Sequence, residues 1–242
     1  MSDKEKLPKS AGAGAPAKRA EIDSFLDKLA RAPARPRADG RGRLMFGMDA
    51  TASRQPTWDR AARLQAEMFQ VTRELGGLDV QLAFFRGFGE FKVSKWTADA
   101  GELTRLMTGV MCLAGETQIG KLLKHAVNET KKRRVNALVY VGDCFEEDVD
   151  ALGRTAGELG LLGVPVFTFH EGGDAIARFG FQQIAKLSGG AYCSFDAASA
   201  ETLKELLAAV AVYAAGGRRA LEDHAKGKGG AVLRIAHQVR GN

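Results

Sequence analysis

Two short and almost wholly apolar segments constrain the fold of this chain more than any other feature. They are residues 137–141 (ALVYV) and 164–169 (VPVFTF). A strand without a polar face is buried on both sides, as the central strands of a parallel sheet are. Segments of helical character separate the candidate strands, which implies right-handed crossover connections. The sequence therefore predicts an α/β, Rossmann-like, doubly wound fold whose mostly parallel central sheet carries helices on both faces.

The alternation of strands and helices begins at residue 43 and contains one hairpin. Residues 78–86 and 89–96 flank the Gly87-Phe88-Gly89 turn, which is typical of an antiparallel pair at the edge of a sheet. The acidic segment 146–150 is expected to form the first turn of a helix, where it would oppose the helix dipole. The candidate strands are 43–48, 78–86, 89–96, 136–142, 164–169 and 191–195, and the candidate helices are 57–75, 99–110, 117–133, 146–161, 174–187 and 199–215.

The two ends of the chain differ in composition from the middle. Residues 1–40 are predicted to be a disordered basic tail with a short amphipathic helix at 21–31, residues 41–215 one domain, and residues 216–242 a flexible basic tail. A helix this short is marginal alone, so it either packs on the domain or binds a partner. We expect deletion of residues 1–40 to leave the fold and metal binding intact.

Composition excludes several classes of protein. The 242 residues are 45% apolar and 26% charged, as in an ordinary globular chain, and no apolar run approaches the roughly 20 residues of a membrane helix. No apolar stretch follows the N-terminus, so we expect a cytoplasmic protein. The three cysteines and four histidines lack the spacing of a zinc site or a disulfide framework. Aromatic residues do not interleave the basic tails, which makes specific nucleic-acid binding a poor explanation of their charge.

Oxygen-bearing side chains follow two of the apolar strands. Asp49, Thr51 and Ser53 come directly after the apolar run 44–48, and Asp143 follows the strand at 136–142. Thr117 opens the helix predicted at 117–133. Ligands of open α/β sheets bind at the carboxyl ends of the strands. Since these two strands would be central neighbours, all five side chains are expected to converge on one site.

The expected site contains two carboxylates and three hydroxyls. Such a donor set suits Mg²⁺, with Mn²⁺ as the other candidate, far better than zinc, because it lacks histidine and cysteine. It would also leave a coordination position for an oxygen from outside the protein. Arg54, Gln55 and Trp58 are expected to flank the site as a rim that contacts a partner.

This arrangement resembles the von Willebrand factor A (VWA) domain with its metal-ion-dependent adhesion site. The family pattern is Asp-x-Ser-x-Ser, then a distant Thr, then an Asp after a hydrophobic strand, and the resemblance runs over residues 43–213. It implies that the hydroxyls of Thr51, Ser53 and Thr117 meet the ion directly or through water. Asp49 and Asp143 would act mostly through bound water. Thr51 departs from the usual Ser, and Cys144 stands where the family often has Gly.

The resemblance also implies a function. The protein would be a divalent-metal-dependent protein-binding module without chemistry of its own, in which a partner supplies an Asp or Glu to the metal. Stand-alone intracellular relatives often serve as adaptors for AAA+ ATPases in metal-chelatase, tellurium-resistance-like or cofactor-maturation systems. An ATPase of this class is therefore the expected kind of partner, and membrane partners are not expected.

Two alternatives remain open at this point. The Asp49 loop also resembles the nucleophile loop of haloacid-dehalogenase-like, Mg²⁺-dependent phosphotransferases, in which Asp49 would attack phosphorus. Asp143 with Asp148 would then resemble their acidic metal-binding motif, but Thr117 opens a helix instead of ending a strand. In the other alternative Asp49, Ser53 and Thr117 are only helix caps and turn residues, for which Asp, Ser and Thr are preferred.

Overall fold

A computed structural model describes residues 19–33, 41–54, 78–196 and 200–227. The helix predicted at 57–75 and the rim residues Gln55 and Trp58 lie outside the described residues. In chain order the elements are α1 (Arg19–Arg31), β1 (Gly42–Asp49), a 3-10 turn (Ala52–Arg54), β2 (Leu78–Arg86), β3 (Glu90–Val93), α2 (Ala100–Thr108), α3 (Ile119–Lys132), β4 (Ala137–Gly142), α4 (Val149–Leu161), β5 (Val166–Glu171), α5 (Ala175–Ser188), β6 (Tyr192–Phe195) and α6 (Ala200–Gly227).

The described strands form one six-stranded sheet in the order β3-β2-β1-β4-β5-β6. All neighbouring pairs are parallel except β2 and β3, which form the predicted antiparallel hairpin at one edge. Every residue of β1 and of β4 is buried, as a central parallel strand requires. The predicted fold class is confirmed. Because β1 and β4 are direct neighbours, their carboxyl ends open at the same place on the sheet.

Alternate side chains of the central strands enter two separate cores. Phe46 of β1 packs in the core that α1, α2 and α6 cover, whereas Met45 packs in the core beneath α3, α4 and α5. This alternation follows from the two-residue period of a strand. The helices cover the two faces of the sheet, and the loops that follow the strands form its carboxyl edge.

Helix α1 is part of the first core. Phe25, Leu26 and Leu29 are almost fully buried, and the Phe25 ring lies 5.8 Å from that of Phe167 and 5.2 Å from that of Phe169. These contacts put the apolar face of α1 directly on β5. They argue against the expectation that residues 1–40 can be deleted without affecting the fold, because the deletion would expose this part of the core.

The last helix is longer than predicted. It continues to Gly227 instead of ending near residue 215, with a break at Gly217, whose φ is 69°. Beyond the break Leu221 returns to the core and is 3% exposed. The prediction of a flexible tail is therefore wrong for residues 216–227. Within the part of the chain that the structure describes, no helix has the length and apolarity that spanning a membrane requires.

Two helices begin later than predicted, and both changes affect the loops at the carboxyl edge. Helix α3 begins at Ile119 and α4 at Val149. Asp148 is the N-cap of α4, and its carboxylate accepts a hydrogen bond of 2.6 Å from the Ala151 N–H. Thr117 and the acidic residues before Asp148 consequently lie in loops, where their side chains can meet.

Candidate metal site

The loop after β1 brings one carboxylate and two hydroxyls together. Asp49 is the last residue of β1 and is fully buried. Its Oδ1 accepts a hydrogen bond of 2.8 Å from the Thr51 N–H, and the hydroxyl oxygens of Thr51 and Ser53 lie 3.1 Å apart. The 3-10 turn closes the loop, since the Arg54 N–H donates to the Thr51 carbonyl at 3.1 Å. Asp49 thus orders the chain that carries the other two candidate ligands.

The loop after β4 lies against this first loop. Cys144 directly follows Asp143, and its thiol donates to the Ser53 hydroxyl at 3.9 Å. Burial raises the pKa of the Cys144 thiol to about 11, with a further contribution from the charge of Asp143. The thiol is therefore protonated at neutral pH. The departure from the family's usual glycine still leaves the loop beside Ser53.

Thr117 is connected to the same loop through Glu146. The Thr117 N–H donates to a carboxylate oxygen of Glu146 at 3.1 Å, and the Glu146 N–H donates to the Thr117 hydroxyl at 3.3 Å. The next residue, Glu147, accepts hydrogen bonds from the N–H groups of Ile119 at 2.5 Å and Gly120 at 2.9 Å. Through these contacts the β4 loop holds the segment that carries Thr117.

Glu147 therefore caps α3 from a different loop. The side chain of the formal N-cap of α3, Gln118, accepts no hydrogen bond from the backbone N–H groups of the helix, so these groups need an acceptor from elsewhere. Helix α4 begins only at Val149, so the expectation that Glu146 and Glu147 form its first turn is wrong. Sequence reasoning missed their role at the site, although the poor capping ability of Gln118 was a usable signal.

Arg54 does not lie on an exposed rim as predicted. Its side chain is 1% exposed, and its Nη2 lies 3.0 Å from the Glu171 Oε2 at the end of β5. The 3-10 turn directs the guanidinium inward, where a carboxylate compensates its charge. Arg54 consequently connects the loop after β1 to the end of β5 and is not available as a surface contact.

The electrostatics of the site favour a cation. Burial raises the pKa of Asp49 to about 6; its hydrogen bonds with Thr51 oppose this shift, and the charge of Asp143 adds to it. Asp49 Oδ2 and Asp143 Oδ1 are both buried without a hydrogen-bond partner. Unpaired buried carboxylate oxygens are costly, and a bound cation is one way to compensate them.

The residues present fit a hard divalent ion. Carboxylate and hydroxyl oxygens are the donors that Mg²⁺ and Mn²⁺ prefer. Among the residues that the structure describes, no group of three or more His, Cys, Asp or Glu side chains could hold a metal. An ion here would therefore depend on the hydroxyl groups. Of the five predicted ligands, Asp49 ends β1, three lie in the paired loops after β1 and β4, and Thr117 is hydrogen-bonded to the second of these loops.

No protein-family model matches the sequence, and no curated protein matches it significantly. Among solved structures the chain is similar to the SpRpn10 VWA domain, with 17% identity and a TM-score of 0.54 over 72% of this chain and 95% of that chain. It is also similar to an aerotolerance-related membrane protein from Bacteroides fragilis, with 16% identity and a TM-score of 0.52 over 69% and 98% of the two chains. A third similar structure is proximal thread matrix protein 1 from the mussel byssus with a zinc-occupied MIDAS motif, at 13% identity and a TM-score of 0.56 over 70% and 45%.

The fold is therefore that of the von Willebrand factor A domain, an α/β fold with a mostly parallel sheet. Because the identities are only 17%, 16% and 13%, these similarities show the fold alone, and a function has to be argued from the residues of the site.

Proposed function

We propose that this protein is a divalent-metal-dependent protein-binding module. The observation that carries the proposal is the pair of buried, unpaired carboxylate oxygens on Asp49 and Asp143, next to the paired hydroxyls of Thr51 and Ser53. Helix caps and turn residues would have their oxygens paired with backbone N–H groups. Asp49 Oδ1 and the Thr117 hydroxyl are paired in this way, whereas Asp49 Oδ2 and Asp143 Oδ1 are not, and these two unpaired carboxylate oxygens favour a cation site over a set of caps.

Each site residue has a separate task in this proposal. The hydroxyls of Thr51, Ser53 and Thr117 hold Mg²⁺, or Mn²⁺, directly or through water. Asp49 and Asp143 supply negative charge and orient the loops and the bound waters. The ion supplies an open coordination position that accepts a carboxylate oxygen. A partner protein fills that position with an Asp or Glu side chain.

We further propose that the protein is a cytoplasmic adaptor and that its partner belongs to an AAA+ ATPase system. This step rests on the resemblance to stand-alone VWA proteins and not on a contact within the chain. It is tested by capture of purified AAA+ ATPases on the full chain, in the presence of Mg²⁺ and again with a chelator. Binding that persists in the chelator would contradict recognition through the ion.

The metal site is tested first, by thermal unfolding with and without Mg²⁺. An ion that binds only the native state at 100 times its Kd adds about 2.7 kcal/mol, which is roughly 5–10 °C for a domain of this size. Ser53→Ala removes one hydroxyl ligand and should abolish the shift. Thr108→Ala removes an exposed hydroxyl from α2 and serves as the matched control. A full shift in Ser53→Ala would contradict the proposed ligand set.

The phosphotransferase alternative is disfavoured by two observations. Asp49 is fully buried, with one carboxylate oxygen held by the Thr51 N–H, so a phosphoester has no clear approach to it. Thr117 precedes α3 instead of ending a strand. An assay of phosphoester hydrolysis with Mg²⁺ decides between the two functions, because turnover that Asp49→Asn abolishes would replace the binding proposal with the enzymatic one.

A further inference from the structure

Three large apolar side chains are exposed close to the candidate metal site. Phe88 is 83% exposed, Met111 is 69% exposed and Leu113 is 44% exposed. Phe88 lies in the turn between β2 and β3, and the other two lie in the loop between α2 and α3. We refer to these three residues as the apolar patch. Contiguous exposed apolar groups of this kind are often interaction sites in globular proteins.

The two loops that carry the apolar patch are fixed against each other. The Gly87 N–H donates to the Leu113 carbonyl at 3.5 Å, and the Glu116 N–H donates to the Gly87 carbonyl at 3.4 Å. A Cβ on Gly115 would lie only 2.1 Å from the Gly87 oxygen, so the close approach of the loops requires glycine there. Arg86 donates from Nη1 to the Met111 carbonyl at 2.7 Å. The two loops therefore form one hydrogen-bonded unit, and the apolar patch is a single surface of that unit.

The apolar patch is continuous with the candidate metal site. Leu113 forms a bridge with Thr51, and its N–H donates to the Ala50 carbonyl at 3.1 Å. Ala50 lies between Asp49 and Thr51 in the chain. A protein segment that brings a carboxylate to the ion thus lies within side-chain reach of Leu113, and its neighbouring residues can reach Met111 and Phe88.

The charges around the apolar patch nearly balance. Arg86 and Lys92 both pair with Glu90, at 3.0 and 2.7 Å, whereas the Lys121 ammonium contacts neutral oxygens, the Gly89 carbonyl at 3.1 Å and the Gln118 amide at 2.8 Å. Glu116 adds an exposed carboxylate to the same loop. These groups therefore give no strong attraction for an acidic surface. In such a surrounding the ion would recognise the carboxylate of a partner, and the apolar patch would recognise apolar side chains next to that carboxylate.

We propose that the apolar patch binds large apolar side chains of the same partner segment that gives its carboxylate to the metal. The recognised element is an Asp or Glu with an aromatic or long aliphatic side chain a few residues away. This inference rests on the proposed metal-dependent function and adds the chemistry of the partner. Burial of such side chains in the centre of an interface supplies most of the binding energy in many complexes.

The test is selection from a library of random peptides displayed on phage. The library is bound to the full chain in Mg²⁺ and eluted with a chelator. The expected peptides share an acidic residue with a large apolar residue close to it. Affinities of the selected peptides are then measured for Phe88→Ser and, as the matched control, for Leu161→Ser, which changes an apolar side chain of similar exposure (86%) at the end of α4.

The expected result is a loss of about tenfold or more in affinity for Phe88→Ser, corresponding to about 1.4 kcal/mol, and no change for Leu161→Ser. Peptides that share only an acid, or that bind Phe88→Ser unchanged, would overturn the inference and leave the metal-dependent function in place. An absence of chelator-eluted peptides would also overturn it. Titration of Mn²⁺ into the unchanged protein separates the two failures, because an absence of ion binding there would refute the proposed function itself, whereas ion binding without the expected peptides overturns only this inference.

Discussion

Thr117 and Glu146 hydrogen-bond each other in both directions. The backbone N–H of each residue donates to the side-chain oxygen of the other, at 3.1 and 3.3 Å. The arrangement resembles a capping box, but it joins two loops that are far apart in the sequence. It occupies one acceptor position of the Thr117 hydroxyl and fixes the direction of the remaining lone pair. Glu146 is therefore a positioning residue for a candidate metal ligand.

Replacement of Glu146 should weaken metal binding more than stability. Glu146→Ala removes the acceptor of the Thr117 N–H, and loss of such supporting contacts reduces metal affinity by about 10–100-fold. Glu146→Gln keeps an oxygen at the same position and should restore much of the affinity. Isothermal titration of Mn²⁺ into both variants measures the difference.

Glu116→Ala is the control for this comparison, because it removes an exposed carboxylate from the segment that carries Thr117. Its affinity for Mn²⁺ should stay close to that of the unchanged protein. If Glu146→Gln and Glu116→Ala both lose as much affinity as Glu146→Ala, the effect comes from general negative charge and the positioning role is wrong.

Asp49→Asn should stabilise the metal-free protein while it removes metal binding. Above its raised pKa of about 6 the Asp49 carboxylate is ionised although it is fully buried. An amide keeps the oxygen that accepts from the Thr51 N–H and avoids the cost of a buried charge. Thermal unfolding in a chelator should thus give an equal or higher Tm for the variant, and added Mg²⁺ should raise the Tm of the unchanged protein only. A lower Tm in the chelator would show that the carboxylate is paired without metal.

The ion pair of Arg54 with Glu171 should contribute strongly to the fold. Removal of one member of a buried pair costs about 3–5 kcal/mol, since it leaves an uncompensated charge. Arg54→Met should therefore lower the Tm by roughly 10 °C. Adding Glu171→Gln should recover part of the loss, because it removes the charge left behind.

An exposed ion pair serves as the comparison for Arg54. Arg31 lies 3.0 Å from Asp27 on α1 and is 74% exposed, so Arg31→Ala should cost no more than about 1 kcal/mol. Equal losses of Tm in Arg54→Met and Arg31→Ala would mean that the buried pair is no stronger than a surface pair.

The sequence predicted those features that depend on local patterns. The apolar runs at 137–141 and 164–169 identified the central strands. The apolar run 44–48 placed Asp49, Thr51 and Ser53 at the end of β1 and in the loop after it. The role of Glu147 was not predictable in this way, because its partners Ile119 and Gly120 form the start of α3, which is distant in sequence. Local patterns report periodicity and capping preference, whereas contacts between loops depend on the tertiary fold.

Arg54 and α1 show the same limit for burial. A single arginine after a polar loop is exposed in most proteins, and only the position of Glu171 at the end of β5 explains why this one is buried. The spacing of Phe25, Leu26 and Leu29 predicted an apolar face but not the surface that covers it. Phe167 and Phe169 provide that surface, and they come from the opposite half of the chain.

Phe25→Ala should be strongly destabilising. The ring is fully buried between α1 and β5, and truncation of a buried Phe costs about 3–5 kcal/mol. Lys28→Ala changes an exposed residue of the same helix and should leave stability nearly unchanged. Chemical unfolding of both variants measures the free energies. A loss below about 1 kcal/mol for Phe25→Ala would mean that α1 contributes little to the fold and that residues 1–40 are dispensable.

Glu129 should make part of the stability depend on pH in the acid range. Burial alone would raise the pKa of its carboxyl, but hydrogen bonds from Lys132 and Trp96, both at 2.8 Å, outweigh burial and lower the pKa to about 2. Between the ordinary value of 4.5 and about 2, the unfolded chain binds more protons than the folded chain. The contribution of Glu129 is therefore complete above pH 4.5 and is lost as the pH falls towards 2.

Urea unfolding along this pH range tests the contribution of Glu129. The free energy of unfolding of Glu129→Gln should lie below that of the unchanged protein above pH 4.5, and the two curves should converge at lower pH. Glu158→Gln removes only the exposed ion pair with Lys131, so its curve should run parallel to that of the unchanged protein. A constant difference between Glu129→Gln and the unchanged protein across the range would show that the Glu129 carboxylate has the same pKa in both states.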